Sequence, residues 1–156
     1  MNQSEILKFY KTKGSVTLED SNKKIITFLD PFKWTPEKGD NWTYLLFDLF
    51  QLRIIAQQFS EVTLDLVEYA SKPTIYQTAP NFQSEKGPRH NDLISFALIQ
   101  APEWKSLLFS ISQPVLVQLD SKTEVDFSVD QFFPLYSSSL KRIFLGPEGE
   151  IKILQN

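Results

Sequence analysis

The spacing of apolar residues along this chain follows two patterns, one typical of strands and the other typical of helices. Short apolar and β-branched runs bounded by Gly, Pro, Asn or Asp are typical of strands, whereas apolar positions three and four apart predict helices. Strands are expected at residues 15–18, 24–29, 42–48, 72–77, 93–99 and 114–119, followed by a closing pair from Lys141. Helices are expected at 5–13, 49–59, 60–70 and 101–111, with a short one inside 120–136.

This order of elements predicts one α/β domain over residues 1–156. Strands that alternate with helices, some of them apolar on both faces, indicate three layers in which helices flank a twisted mixed β-sheet. Ser4 is the expected N-cap of the first helix, and Gly14 its expected end.

The C-terminal segment has the pattern of a hairpin. Two apolar runs, Ile143–Leu145 and Ile151–Leu154, flank the sequence Gly146-Pro147-Glu148-Gly149. Glycine supplies positive φ and proline presets φ, so these four residues predict a turn between two strands.

Composition narrows the class of protein. The chain has 156 residues, 42% of them apolar, so it can bury a hydrophobic core without disulfide bonds. It has no cysteine, which excludes disulfides, thiolate metal sites and cysteine nucleophiles. The first residues lack the apolar region of a signal peptide, and no apolar run is long enough to span a membrane. We therefore expect a soluble cytoplasmic domain with no membrane partner.

His90 is the only histidine, and it lies in a polar loop over residues 78–91. A Ser–His–Asp relay with Asp92 can be imagined, because histidine is the base in such a relay. The simpler interpretation is a solvated loop histidine, and no metal site is expected.

Basic and aromatic residues suggest two further hypotheses. The cations Lys33, Lys38, Lys86, Arg89, Lys141 and Arg142, near Trp34, Trp42 and Phe82 in sequence, could form a groove for RNA or could be ordinary surface. The net charge of −3 gives no overall attraction to nucleic acid. The apolar run Phe132–Tyr136 is expected to be core, with a partner surface as the alternative.

A collinear series of short phrases resembles the YrdC/YciO family, the threonylcarbamoyl-adenylate synthase fold used in tRNA modification. The series comprises Lys72-Pro73-Thr74-Ile75-Tyr76, the strand Leu93–Ile99, Gln113-Pro114-Val115-Leu116, and Ile143–Gly146 with Gly149–Ile153. The resemblance implies a YrdC/RibB-like α/β fold. It also implies that the terminal hairpin belongs to the central sheet, so that its last residues are core.

The family's active-site motifs are altered here. Glu19–Asn22 follow the first strand where the family has its threonine-pocket phrase, and Lys33-Trp34-Thr35-Pro36 has threonine in place of the arginine of the Lys-x-Arg-Pro loop. The apolar and acidic run Val117–Ser121 replaces a hydroxyl-rich phrase, and Ser139-Leu140-Lys141 matches the last family motif only in part. Preorganised donors stabilise the transition state of phosphate chemistry, so these losses predict a protein without turnover.

The sequence therefore predicts a degenerate, non-catalytic YrdC-like domain with no catalytic residue assigned. It is expected to bind a nucleotide or RNA, and ATP is implied by the resemblance alone, with no other cofactor evident. A divergent threonylcarbamoyl-adenylate synthase and a protein-interaction or dimerisation module remain open alternatives, and the oligomeric state is undetermined. The candidate binding residues are Lys33, Lys38, Thr74, Arg89, Ser121 and Lys141.

Overall fold

The fold, taken from a computed structural model that describes residues 1–155, consists of nine strands and four α-helices in those residues. The helices are α1 (Gln3–Lys13), α2 (Leu52–Ile55), α3 (Glu61–Glu68) and α4 (Pro102–Ile111). The strands are β1 (Ser15–Glu19), β2 (Ile25–Leu29), β3 (Thr43–Leu46), β4 (Thr74–Thr78), β5 (Ile94–Leu98), β6 (Val115–Leu119), β7 (Phe127–Ser128), β8 (Lys141–Leu145) and β9 (Ile151–Gln155).

All nine strands form one mixed sheet in the order β7-β1-β2-β6-β3-β5-β4-β8-β9. The pairs β1/β7, β3/β5 and β4/β8 are parallel, and the other neighbours are antiparallel. The mixed sheet predicted from the sequence is therefore confirmed.

The sheet is covered on both faces, which makes the domain three-layered. Along β3, Leu45 points into one buried cluster and its neighbours Tyr44 and Leu46 point into the other, because successive side chains alternate across a strand. The Leu45 cluster includes residues of α1 and α4, and the Tyr44 cluster includes residues of α2 and α3. The predicted three-layer arrangement is confirmed.

The first helix begins earlier than predicted. Asn2, not Ser4, is the N-cap, because its side-chain oxygen accepts the backbone N–H of Glu5 at 3.2 Å. Gly14 ends the helix as predicted, with φ of +80°.

The helix predicted over residues 49–59 is wrong in length. A 3-10 turn at Leu49–Gln51 leads into α2, and the chain turns extended at Ala56. The cause is tertiary: Ser84 and the backbone N–H of Asn81 both donate to the Ile55 carbonyl, which would otherwise continue the helix.

The terminal hairpin belongs to the sheet, but the prediction that its last residues are core is wrong. β8 pairs with β4, and β9 pairs only with β8 among the described residues. Ile151, Ile153 and Leu154 are 43%, 60% and 46% exposed because β9 is the outermost strand. The resemblance of the hairpin therefore predicted its position in the sheet correctly, but not the burial of its last residues.

The aromatic run Phe132–Tyr136 is mostly core, as expected. Phe133 and Leu135 are buried, and Phe133 packs edge-on against the buried Trp104, whose ring N–H donates to the Phe132 carbonyl at 2.8 Å. Only Phe132 of this run is substantially exposed. The run therefore closes one face of the sheet and leaves little surface for a partner.

Candidate functional site

A cleft lies where β3 begins and β6 ends. These two strands are antiparallel neighbours, so the residues before β3 and the residues after β6 meet at one end of the sheet. The cavity has a volume of about 540 Å³. Its polar lining includes Asn41, Asp120, Lys122, Thr123 and Arg142.

The lining carries charges of both signs. Lys122 and Arg142 contribute two cations and Asp120 one carboxylate, and within residues 1–155 neither cation forms an ion pair. A guanidinium can bind phosphate or carboxylate through two hydrogen bonds, and an ammonium adds a point charge. The cleft can therefore hold an anionic group. The Asp120 carboxylate would repel a ligand of high negative charge, and it can accept a hydrogen bond from a ligand donor.

A row of hydroxyls, buried at Thr17, Thr27 and Ser121, fixes the loop that forms one wall of the cleft. Thr17 and Thr27 lie 2.9 Å apart between their hydroxyl oxygens, Thr27 donates to Ser121 at 2.7 Å, and Ser121 donates to Thr123 at 3.1 Å. The backbone N–H of Thr17 also donates to the Asp126 carboxylate at 2.8 Å. The loop over 120–126 is thus tied to β1 and β2 at both ends.

Tyr136 fixes the turn at Asp120. Its hydroxyl accepts the backbone N–H of Asp120 at 2.7 Å and donates to the Ile25 carbonyl at 2.9 Å. Burial raises the pKa of the Tyr136 hydroxyl above its ordinary value, and so do the carboxylates of Asp120 and Asp20. Asp120 itself has φ of +53°, a conformation that L residues adopt infrequently. The wall of the cleft is held in place before any ligand binds.

Two of the predicted binding residues adjoin this cleft without lining it. Ser121 is buried next to Asp120, but its hydroxyl accepts from Thr27 of β2 and donates to Thr123. Lys141 directly precedes Arg142 at the start of β8 and is half-buried. The segments around Ser121 and Lys141 therefore do reach the cleft, but through the adjacent residues Asp120, Lys122 and Arg142.

The other predicted residues lie apart from the cleft lining. The side chain of Lys33 lies against Gly14, where an added Cβ would be 3.0 Å from Lys33 Cγ and Cε. Lys38 is exposed in the loop before β3. Arg89 forms a long ion pair with Asp92, at 3.9 Å. A ligand role for each of these residues stays a prediction.

Thr74 lines a second, smaller pocket of about 260 Å³ between the end of α3 and the start of α4. Its hydroxyl donates to the Lys72 carbonyl at 3.0 Å. Tyr76 lines the same pocket and stacks on Phe96, and burial raises the pKa of its hydroxyl. Thr74 therefore lines a different pocket from the cleft that Ser121 and Lys141 adjoin.

The candidate site residues named from the sequence omitted Asn41, Lys122, Thr123 and Arg142. Of these, Arg142 belongs to the predicted RNA groove, whereas the sequence assigns no role to Asn41, Lys122 and Thr123. The useful signal was the polar run that directly follows the apolar strand β6, because a strand end exposes the residues after it. That signal could be combined with Asn41 only if the β3/β6 pairing were known.

His90 is exposed in the loop before β5, as expected. Its backbone pairs with Leu93, and its side chain forms no hydrogen bond within residues 1–155. No group of three or more potential metal-ligating side chains occurs in that part of the chain. Among the same residues no helix has the length and apolar character required to cross a membrane.

Comparisons with known proteins identify similar structures but no close relative in sequence. No protein-family model matches this chain, and no curated protein matches it significantly. E. coli YciO matches 99% of this chain and 88% of its own, with a TM-score of 0.73 and 11% identity.

Two longer proteins contain a similar region. A substituted form of P. abyssi Sua5 has a TM-score of 0.71 at 13% identity, and 97% of this chain matches 52% of Sua5. Full-length HypF, in its phosphate- and nucleotide-bound form, has a TM-score of 0.68 at 11% identity, and 97% of this chain matches 28% of HypF. The chain thus spans about half of Sua5 and little more than a quarter of HypF. With the mixed sheet and the terminal hairpin, these matches establish that the chain has a YrdC/YciO-like α/β fold.

Proposed function

We propose that this chain is a non-catalytic YrdC-like domain that binds the phosphate of a nucleotide in the cleft where β3 begins and β6 ends. The observation that carries the proposal is the presence of Arg142 and Lys122 in one cavity of about 540 Å³. That volume lies within the range of small-molecule pockets. Asn41 and Thr123 add uncharged hydrogen-bonding groups to the lining.

Full-length HypF, which contains a similar fold, is described with bound phosphate and nucleotide, and this supports a nucleotide as the ligand class. Under this proposal Arg142 binds phosphate oxygens and Lys122 adds charge. Asp120 limits the negative charge that the cleft accepts, because like charges repel. A monophosphate is therefore favoured over a triphosphate.

The absence of turnover is inferred from the lost motifs. Threonine occupies position 35 where the resemblance would place an arginine, and Asp120 lies where the family has small hydroxyls. Stabilisation of a transferring phosphoryl group depends on several preorganised donors acting together. A cleft with one arginine and an opposing carboxylate fits binding better than catalysis.

The test is calorimetric titration with AMP, ATP, inorganic phosphate and a short single-stranded RNA. AMP should bind more tightly than phosphate, and Arg142→Ala and Lys122→Ala should each weaken binding. Lys105→Ala, which removes an exposed lysine of α4, is the matched control and should bind normally. Melting temperatures without ligand check that each variant is folded.

Three outcomes would overturn parts of this proposal. Binding that survives both cleft substitutions would move the site elsewhere. Binding of the RNA alone would replace the nucleotide as ligand. Release of pyrophosphate from ATP in the presence of threonine and bicarbonate would show a divergent synthase instead of a non-catalytic domain.

A further inference from the structure

The two edge strands of the sheet differ in length. β7 at one edge has two residues, whereas β9 at the other edge has five. Natural proteins protect edge strands by shortening them, twisting them or placing charges on them, because an open edge can pair with another chain. Within residues 1–155, β7 is protected by its length and β9 lacks a neighbour on its outer side.

The hydrogen-bonding groups of β9 that face outward can be identified from the register. The Gly146 N–H donates to the Glu150 carbonyl at 2.8 Å, and Phe144 lies opposite Lys152. Hydrogen-bonded pairs alternate in an antiparallel ladder, so the backbone of Lys152 faces β8. The backbone groups of Ile151 and Ile153 therefore face the open edge.

The side chains of β9 also favour association. Ile151, Ile153 and Leu154 are 43%, 60% and 46% exposed, and Lys152 is the only charged residue of the strand. Short segments with high β-propensity, low charge and no proline pair readily with other strands. An exposed aliphatic strand of this kind gains by burying its side chains against another apolar strand.

The charges of the hairpin select the direction of pairing. Its tip carries Glu148 and Glu150, and its base carries Lys141 and Arg142. Two copies placed antiparallel bring each acidic tip towards the other basic base, whereas parallel copies bring like charges together. The hairpin is therefore complementary to an antiparallel copy of itself.

We propose that β9 is the interface of a homodimer in which two copies pair antiparallel about a two-fold axis through Ile153. In this arrangement Ile153 lies opposite its counterpart at the axis, and the one-residue register shift that β9 makes against β8 after Ile153 lies beside the axis in each copy. The outward backbone groups of Ile151 and Ile153 become bonded. The assembly stops at two copies because residues 1–155 offer one long open edge.

Cysteine substitution tests the register, since the chain has no cysteine of its own. Directly opposed residues of a hydrogen-bonded pair have Cα atoms about 5.5 Å apart, which a disulfide can bridge. Ile153→Cys should therefore become a disulfide-linked dimer under mild oxidation. Leu154→Cys is the matched control and should stay largely unlinked, because diagonal neighbours are about 7–8 Å apart.

Sedimentation equilibrium of the unsubstituted chain should show a dimer that increases with concentration. Ile153→Lys should abolish it by placing two ammonium groups on the axis, whereas Val62→Lys, at a 73% exposed aliphatic residue of α3, should leave it unchanged. A monomer at every concentration, loss of the dimer in both lysine variants, or faster cross-linking through Cys at 154 than at 153 would each overturn the proposal.

Discussion

The hydroxyl of Tyr136 accepts the backbone N–H of Asp120 at 2.7 Å and donates to the Ile25 carbonyl, which links the wall of the cleft to β2. Tyr136→Phe removes only this oxygen. We expect a loss of about 1–2 kcal/mol in the free energy of unfolding, because two backbone groups lose their partner. Urea denaturation measures it. Tyr69→Phe changes a 75% exposed tyrosine and should have no effect; equal midpoints for the two variants would contradict the role given to Tyr136.

Thr27→Val tests the hydroxyl row. Valine keeps the shape of threonine but removes the oxygen that bonds to both Thr17 and Ser121. The expected cost is about 1–3 kcal/mol, because buried hydroxyls lose a partner. Thermal and urea unfolding measure it. The matched substitution Thr12→Val, on the exposed side of α1, should change stability by no more than about 0.5 kcal/mol. If the two substitutions change the free energy of unfolding equally within error, the hydroxyl row does not hold the loop.

Alkaline pH should destabilise the domain through its buried tyrosines. Burial raises the pKa of Tyr44 from 10.0 to about 12, and burial also raises the pKa of Tyr10 and Tyr76. The folded state thus favours the neutral phenol, so this contribution is intact below pH 10 and decreases as pH rises from 10 towards 12. Urea titrations at a series of pH values, with tyrosinate absorbance, should show unfolding free energy decreasing over this interval.

Tyr44→Phe provides the check on that pH dependence. Without the buried phenol of Tyr44, the decrease above pH 10 should be shallower than in the unsubstituted chain. A stability that stays constant from pH 10 to 12, or an identical slope in Tyr44→Phe, would show that these phenols ionise freely.

Asp120→Asn should tighten nucleotide binding if the proposed site is correct. The substitution removes the carboxylate from the cleft, and asparagine tolerates the positive φ of this position well. Relief of one repulsion near the surface corresponds to about 1 kcal/mol, or roughly fivefold in affinity. Titration with AMP measures this gain, and Asp65→Asn, an exposed carboxylate on α3, should give none. Weaker binding in Asp120→Asn would mean that the carboxylate accepts a hydrogen bond from the ligand.

The sequence predicted the order and type of most elements because each strand carries its own signal. Runs such as Ile25–Leu29 and Val115–Leu119 are apolar and β-branched, and Gly14 marks a helix end in the left-handed conformation that glycine favours. The collinear phrases predicted the fold and the position of the terminal hairpin in the sheet. The hairpin itself is predicted locally, by its turn residues. Those features depend on neighbouring residues, so they can be read along the chain.

Apart from the N-cap of α1, which is a local feature, the errors depend on contacts between distant residues. Ala56 ends a helix because the loop after β4 captures the Ile55 carbonyl, and Ile153 is exposed because no layer covers the last strand. The cleft was missed for the same reason: the β3/β6 pairing brings Asn41 and Lys122 together, and Arg142 joins them from β8, far away along the chain. Alternation along a strand identifies two faces but does not tell which of them will be covered.

The order of the strands in space has a consequence for how this chain is made. Ile26 of β2 pairs with Leu119 of β6, so the β1–β2 hairpin leaves the ribosome well before its partner strand has been synthesised. Ile26 and Phe28, which are fully buried in the finished domain, are meanwhile accessible to chaperones and to other nascent chains. Because the closing contacts join distant parts of the polypeptide, folding must wait for the second half of translation and will be slow for a domain of this size.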